Sequence, residues 1–428
     1  WNTSANGSGT AYTNGQSVTI TAGMTLYAQW TGTTNTITYD SKGGSAVSNG
    51  SFVTGGTVSA APTAPTRAGY TLSGWSETDG GSVVTYPYSP SATSGITLYA
   101  VWAAVSCSPT STTSGGYTRY TFTTAGTCFW TVPNGVTDVE VLAVAGGGGG
   151  GYSWDNTGAG GGAGGQVKTG TATLNTTVQV TVGAGGVAGT TSSRRGGTGS
   201  DSAFGTLTAL GGTGGCAARS ACSTASQATS SAAANGGAGG SGGASGRGGG
   251  GSNTTGATPT TATAGTGTAS SYSGSSVTYG AGGNGGAGGA ASNSTGTAGG
   301  ANTGNGGGGA TAKSASGDVN GGAGGSGLVI VRVASALTVA FDSQSGSAVS
   351  DTSTVTAGVL SEPTAPTRSN YTFVGWFTAT SGGSAITFPY SHGQTANFTL
   401  YARWALNTYA IAFNANNGSG TMANQSVT

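Results

Sequence analysis

The strongest constraint on this chain is a set of glycine blocks entered and left through hydrophobic strands. Val139-Glu140-Val141-Leu142-Ala143-Val144-Ala145 runs straight into Gly146–Gly151, and the block resumes at Gly158–Gly165. Far downstream, Gly321–Gly327 runs into Leu328-Val329-Ile330-Val331-Arg332-Val333. Glycine loses more conformational freedom on folding than any other residue, and it brings no side chain to bury. An ordinary helix or strand is therefore a costly destination. What glycine permits is close approach of backbones, as in collagen. Left-handed extended helices, three residues per turn, would pack side by side with each N–H bonding a neighbour's carbonyl. The candidate rods of such a polyglycine-helix array are Gly146–Gly151, Gly158–Gly165, Gly183–Gly189, Gly211–Gly215, Gly236–Gly251, Gly280–Gly289, Gly299–Gly309 and Gly321–Gly327. The alternative is a flexible Gly/Ser tether. Single aromatics and arginines punctuate the blocks and strongly β strands enclose them, which a featureless tether would not need. Thr254–Ser271 has the least to anchor it.

The flanks read differently, because they repeat. Thr63-Ala64-Pro65-Thr66-Arg67-Ala68-Gly69-Tyr70-Thr71-Leu72-Ser73-Gly74-Trp75 recurs as Thr364-Ala365-Pro366-Thr367-Arg368-Ser369-Asn370-Tyr371-Thr372-Phe373-Val374-Gly375-Trp376. Both copies continue through Gly-Gly-Ser and close alike, on Leu98-Tyr99-Ala100-Val101-Trp102 and Leu400-Tyr401-Ala402-Arg403-Trp404. Internal repetition of this kind sets the domain plan. Residues 1–30 are the back half of one copy, 36–102 and 337–404 are complete copies, and 409–428 opens another. Ile37-Thr38-Tyr39 and Leu337 to Phe341 read as strands. Pro62, Pro65, Pro363 and Pro366 remove backbone donors, so that stretch is an edge or an extended crossing. The two tryptophans of each copy are the expected core anchors. Both ends of the sequence stop in mid-pattern, as expected for a window on a longer protein.

The motif G-Y-T-φ-x-G-W, then G-G-S, then L-Y-A-x-W resembles the Listeria–Bacteroides repeat of bacterial surface proteins, the internalin B-repeat type. The resemblance implies a small β-grasp-like module strung in tandem on an extracellular chain, serving as a spacer or weak binding module. The opening N-G-G turn of the family is altered here, to Ser41-Lys42-Gly43-Gly44 and Ser343-Gln344-Ser345-Gly346. Between the repeats, residues 105–333 begin as β, with strands at Tyr117–Thr123 and Cys128–Pro133 drawn as a hairpin through Ala125-Gly126. Asn134-Gly135 signals a turn into Val136–Val144, and further strands are expected at Val178–Val182 and Leu328–Val333. The ends of this segment, W-T-V-P-x-G-V running to G-G-G-G-G and G-G-S-G-L-V-I-V-R-V, resemble the glycine-rich domain of bacterial surface proteins and phage tail proteins. Related phage adhesins present variable loops at one end of polyglycine sandwiches, which implies loop-borne recognition.

Charge and cysteine content bound the chemistry. Charged residues make up 5% of the chain and the net charge is +1, against roughly a quarter charged in ordinary soluble domains. That leaves no electrostatic footprint for nucleic acid. No apolar run reaches the ~18 residues of a membrane span. Cys107, Cys128, Cys216 and Cys222 allow three pairings. Proximity favours Cys107–Cys128 with Cys216–Cys222 in an oxidising compartment, with free thiols or a metal site as the other readings. The single His392 has no acid beside it, and the eleven acids are scattered. Neither a catalytic constellation, nor a metal site, nor a cofactor fingerprint emerges.

What remains is binding. Tyr152, Trp154 and Asp155 interrupt two glycine blocks, and Arg194, Arg195 and Tyr272 are similar interruptions. Aromatics on rigid loops stack on sugars, while Asp and Arg hydrogen-bond hydroxyls; the competing role for Trp154 is to cap the rim of the array. The sequence therefore reads as an all-β, multidomain, non-catalytic segment at the cell surface or outside the cell. Its expected partner is a surface glycan or protein met through loops of the glycine-rich domain. The alternatives are a structural stalk or fibre that self-associates, and a phage tail-fibre adhesin.

Overall fold

The computed structural model describes residues 1–428 except 134, 135, 137, 155, 175, 176, 219–261, 289, 291 and 314–316. It is all β: no helix occurs among the described residues. The chain divides into two compact units, Trp1–Val105 and Ser106–Thr428.

In the first unit, alternation sets the sheet. β1 (Thr34–Asp40) buries Asn35, Ile37 and Tyr39 and exposes the residues between them. With β2 (Gly50–Val53), β3 (Tyr70–Ser76) and β4 (Ile96–Ala104) it forms a sheet of order β2-β1-β4-β3. The central pair β1/β4 is parallel, and the outer pairs are antiparallel. The proline-bearing stretch between β2 and β3 is the extended crossing that parallel pairing requires. Trp75 is 1% exposed and meets Tyr39 edge-on at 4.8 Å. A bulge between Leu72 and Gly74 lets β3 bend, and Gly74 takes φ 149°, a value that only glycine adopts freely. Trp102 Nε1 donates to the Ser41 carbonyl (2.9 Å), tying the last strand to the first turn.

The second unit opens with a β-sandwich. Its strands are β5 (Thr110–Ser114), β6 (Tyr117–Phe122), β7 (Gly126–Thr131), β8 (Asp138–Val144), β9 (Val167–Thr173), β10 (Thr177–Val182), β11 (Ser202–Phe204) and β12 (Leu207–Ala209). After the short hairpin β13 (Thr268–Ser270) and β14 (Val277–Tyr279) comes β15 (Leu328–Ala334). One sheet runs β5-β6-β15-β8-β9 and the other β12-β11-β10-β7. The expected hairpin of Tyr117–Thr123 with Cys128–Pro133 is thus corrected, because β6 pairs with β5 and β15 whereas β7 pairs with β10. Phe122 and Trp130 must both face the core, and crossing from one sheet to the other achieves this. Their rings meet at 5.6 Å, with Val141, Val180, Phe204, Val329 and Val331 around them. The Cys107–Cys128 disulfide forms, and Cys107 N–H bonds the Phe129 carbonyl (2.9 Å), so the leading segment is fastened to β7. Cys216 is also disulfide-bonded; Cys222 lies outside the described residues.

Beyond β8 the glycine block leaves the sandwich and enters an array of extended segments with a three-residue hydrogen-bond period. Amides of Gly146, Gly149 and Tyr152 donate to Ser200, Gly197 and Arg194; those of Gly147, Gly150 and Ser153 to Gly325, Gly322 and Val319; those of Gly148 and Gly151 to Ala163 and Gly160. The carbonyls of the same segment accept in three further rows, from Gly212, Gly215 and Ala218, from Gly186 and Gly189, and from Gly307 and Ala310. Six neighbours therefore surround one segment, and a period of three is what three residues per turn produces. A Cβ on any of Gly146–Gly151 would collide with a neighbouring carbonyl, so glycine is obligatory there. In outer segments every third position is released to carry a side chain. Ala281, Asn284 and Ala287 alternate with Gly-Gly pairs, as do Asn320, Ala323 and Ser326.

Three segments of the array differ from the expected rods. Residues 194–200 and 294–300 join it although Arg, Ser, Thr and Ala interrupt them, and residues 262–265 supply acceptors for Gly285 and Gly282. Gly299–Gly309 is two segments divided by a turn at residues 301–304. Gly236–Gly251 falls outside the described residues.

The unit continues with the second full repeat: β16 (Ala336–Asp342), β17 (Thr352–Val355), β18 (Val359–Leu360), β19 (Tyr371–Phe377), β20 (Tyr390–Ser391) and β21 (Phe398–Leu406). It reproduces the parallel central pair, the bulge at Gly375, the buried Trp376 and the Trp404-to-Ser343 hydrogen bond. A final hairpin joins β22 (Tyr409–Ile411) to β23 (Gln425–Val427).

Candidate functional site

The array has two different ends. At one, its segments become sandwich strands. At the other they end among residues 152–154, 156–157, 190–195, 311–313 and 317–319. Tyr152 stands where the central segment reaches that loop end. Its amide and carbonyl still belong to the array, held by Arg194 O (2.8 Å) and Ala218 N (2.9 Å). Its ring is 2% exposed and its hydroxyl donates to the Asp318 carboxylate. Burial first, and then the hydrogen bond it donates to Asp318, hold the phenol above its ordinary pKa, so it remains a donor.

Trp154 stacks on Tyr152 with ring centroids 5.7 Å apart and planes 25° from parallel. The Arg194 guanidinium sits 4.9 Å from the Trp154 ring, within range of a cation–π contact. Arg194 takes φ 56°, and its amide bonds Thr190 O (2.6 Å). Thr190, Ser192 and Ser193 close that turn through their hydroxyls. On the adjoining loop, Ser153 and Val319 exchange both backbone hydrogen bonds, and Ser153 Oγ donates to the Thr157 carbonyl. The result is a layered stack, Arg194 on Trp154 on Tyr152, braced from below by Asp318. Tyr152 is its buried support, Trp154 is half-buried and Arg194 is exposed.

The sequence-predicted residues divide. Tyr152, Trp154, Arg194 and the half-buried Arg195 share the loop end. Asp155 lies outside the described residues. Tyr272 belongs elsewhere: it faces Arg332, whose guanidinium lies 3.9 Å from its ring and 4.5 Å from that of Tyr117. Arg332 also pairs with Glu140, and Arg119 Nε donates to the Tyr272 carbonyl (2.9 Å). Glu140 precedes Tyr152 by twelve residues of extended chain, roughly 35–40 Å at strand or polyproline rise. Tyr272 is therefore a clasp at the sandwich end and no part of the loop-end stack. Asp318, which no motif marked, is the member that sequence reading missed. It lies 166 positions from Tyr152, and only the fold brings the two together.

No group of three metal-ligating side chains occurs among the described residues. His392 is buried: Gln394 N–H donates to its Nδ1 (3.3 Å) and Thr354 Oγ1 meets its Nε2 (3.2 Å). Burial lowers its pKa below the ordinary imidazole value. Its place is structural, under Phe398 and Tyr390.

Comparison with known families matches this architecture. The family described as "Listeria-Bacteroides repeat domain" matches residues 1–29, 36–101 and 338–403, and that described as "Glycine-rich domain" matches residues 123–334. The chain carries Listeria–Bacteroides repeats around a glycine-rich domain. Neither description names a catalytic activity. Among relatives, Internalin H of Listeria monocytogenes is 34% identical over 106 residues, 24% of this chain and 18% of that protein. A putative membrane protein of Evansella cellulosilytica is 37% identical over 82 residues, 19% of this chain and 12% of that protein. A putative Gly-rich membrane protein of the same organism is 36% identical over 81 residues, 19% of this chain and 9% of that protein. The chain thus spans less than a fifth of the length of each. Among the described residues no helix is long and apolar enough to cross a membrane.

Proposed function

We propose that this chain is a non-catalytic segment of a bacterial cell-surface protein. In this reading its glycine-rich domain recognises a surface glycan or protein through the loop end, and the Listeria–Bacteroides repeats act as spacers. The internalin and membrane-protein names of its relatives support the location. The observation that carries the recognition role is the Arg194–Trp154–Tyr152 stack on an ordered rim. A half-buried indole in contact with a buried ring and a cation is pre-organised, so little ordering entropy is lost when a ligand meets it. Arg194 supplies donors for hydroxyl or carboxylate oxygens beside an aromatic face.

The test is a glycan array and a cell-binding assay with the whole chain, its Trp154→Ala variant and its Arg194→Ala variant. Trp154→Ala is expected to lower binding at least tenfold while the array amides keep their exchange protection. Equal binding by the wild type and both variants would assign Trp154 to capping the rim.

A further inference from the structure

Among the described residues the six-neighbour packing around Gly146–Gly151 is not repeated everywhere, and one open side has a defined chemistry. Among the described residues, segment 304–311 has neighbours on five sides. Its amides reach Ala281 and Asn284, Gly148 and Gly151, and Thr297; its carbonyls accept from Gly162 and Ala159 and from Gly322 and Gly325. The sixth side is a groove of about 330 Å³ between residues 282–287 and 294–300, floored by Asn305, Gly306, Gly308 and Gly309. Gly306 and Gly309 are three residues apart, and neither carbonyl accepts a hydrogen bond from another described residue.

The wall at 281–287 tells the same story. Its row of amides is Ala281, Asn284 and Ala287. Asn305 Oδ1 accepts from Ala281 (2.9 Å) and Thr311 Oγ1 accepts from Ala287 (2.9 Å). Position 308, midway between Asn305 and Thr311, is glycine, and the Asn284 amide bonds no other described residue. Side chains thus close the two ends of the groove and leave its middle open. What stands open is one donor, with two acceptors at the repeat of a three-residue helix.

We propose that this groove seats an extended glycine-rich peptide segment of a partner chain, adding a further rod to the array. The partner's amides, three residues apart, bond Gly306 O and Gly309 O, and one of its carbonyls accepts from Asn284. A segment with side chains facing the floor is refused, because within the array a Cβ directed at a neighbouring backbone meets its carbonyls. The groove runs along the flank of the array, so this site is separate from the loop-end stack and independent of it.

The experiment is an NMR titration of the whole chain with a lysine-flanked hexaglycine peptide, against a lysine-flanked hexa-alanine control. The expected result is a saturable downfield shift and slowed exchange of the Asn284 amide with hexaglycine alone. Ala298→Trp, on the exposed wall of the groove, is expected to weaken that response at least tenfold while leaving the amide fingerprint of the central segment unchanged. The proposal is overturned by an Asn284 amide that ignores both peptides or answers both alike. An unaltered response in a folded Ala298→Trp chain overturns it as well. So does a shift produced by raising protein concentration alone, with nothing added by hexaglycine, since a second copy would then already fill the groove.

Discussion

The repeats and the glycine array solve the same problem with opposite materials. In each repeat a tryptophan, Trp75 or Trp376, is 1% exposed and a few aromatic and aliphatic side chains close around it. In the array the interior is backbone, and Gly146–Gly151 are buried with no side chain at all. Burying a large side chain contributes about 1.5–3 kcal/mol at one position. A main-chain hydrogen bond contributes a net ~0.5–1.5 kcal/mol, so the array needs many, regularly placed. The difference teaches where each tolerates change. A repeat depends on a few irreplaceable side chains, whereas the array depends on the absence of side chains at nearly every interior position.

The largest expected effect comes from breaking that absence. Gly149→Ala drives a Cβ into the Val187 carbonyl, and should destabilise the glycine-rich domain by more than about 4 kcal/mol, read as lost exchange protection across the array. Gly393→Ala, whose Cβ would meet nothing within 4 Å, should change stability by less than about 0.5 kcal/mol. Comparable effects at the two sites would remove the distinction.

Next in size, Trp75→Ala should cost the first full repeat about 3–5 kcal/mol. Exchange protection of the array should survive, because the repeat belongs to the other compact unit. Replacing Cys107 and Cys128 by serine opens a crosslink spanning 21 residues, and should lower the stability of the sandwich by ~3 kcal/mol, read from denaturant unfolding.

The smallest effect separates the two full repeats. His392 is buried with its pKa lowered, and the corresponding position in the first copy is Pro90. The unfolded chain takes up a proton near pH 6.5 while the folded ring resists it. The contribution of His392 is therefore complete above that pH and declines as pH falls below it. A melting series from pH 7.5 to 5 should show the second repeat losing stability, and His392→Gln should flatten the curve. Thr354, Tyr390 and Phe398 are the groups around the ring.

The repeats were largely legible in the sequence, because side chains at fixed spacing announce a side-chain core. Alternation in β1, the Gly-Trp pairs and the closing Leu-Tyr-Ala-x-Trp runs became strands with the expected faces inward. The array was legible as a substance and not as a register. Glycine carries no mark of which neighbour it touches, so composition marked glycine segments without their pairing and ran two together at Gly299–Gly309. The missed segments at 194–200 and 294–300 contain threonines, which the array accepts wherever one position in three faces outward. A spacing of three between non-glycine residues, as at Ala281, Asn284 and Ala287, is the sign that would have found them. At the loop end Tyr152, Trp154 and Arg194 were visible as interruptions. Their common support, Asp318, was not, because nothing local joins it to Tyr152.

Residues 218 and 262 both stand at the loop end, one attached to Tyr152 and the other to Gly285, so the array delivers the chain to that face and takes it back there. Doubling the length of a flexible surface loop costs only about 0.6 kcal/mol in closure entropy. An insertion on this face changes what the molecule presents there while Tyr152 and Gly285 keep the hydrogen bonds that tie them into the array.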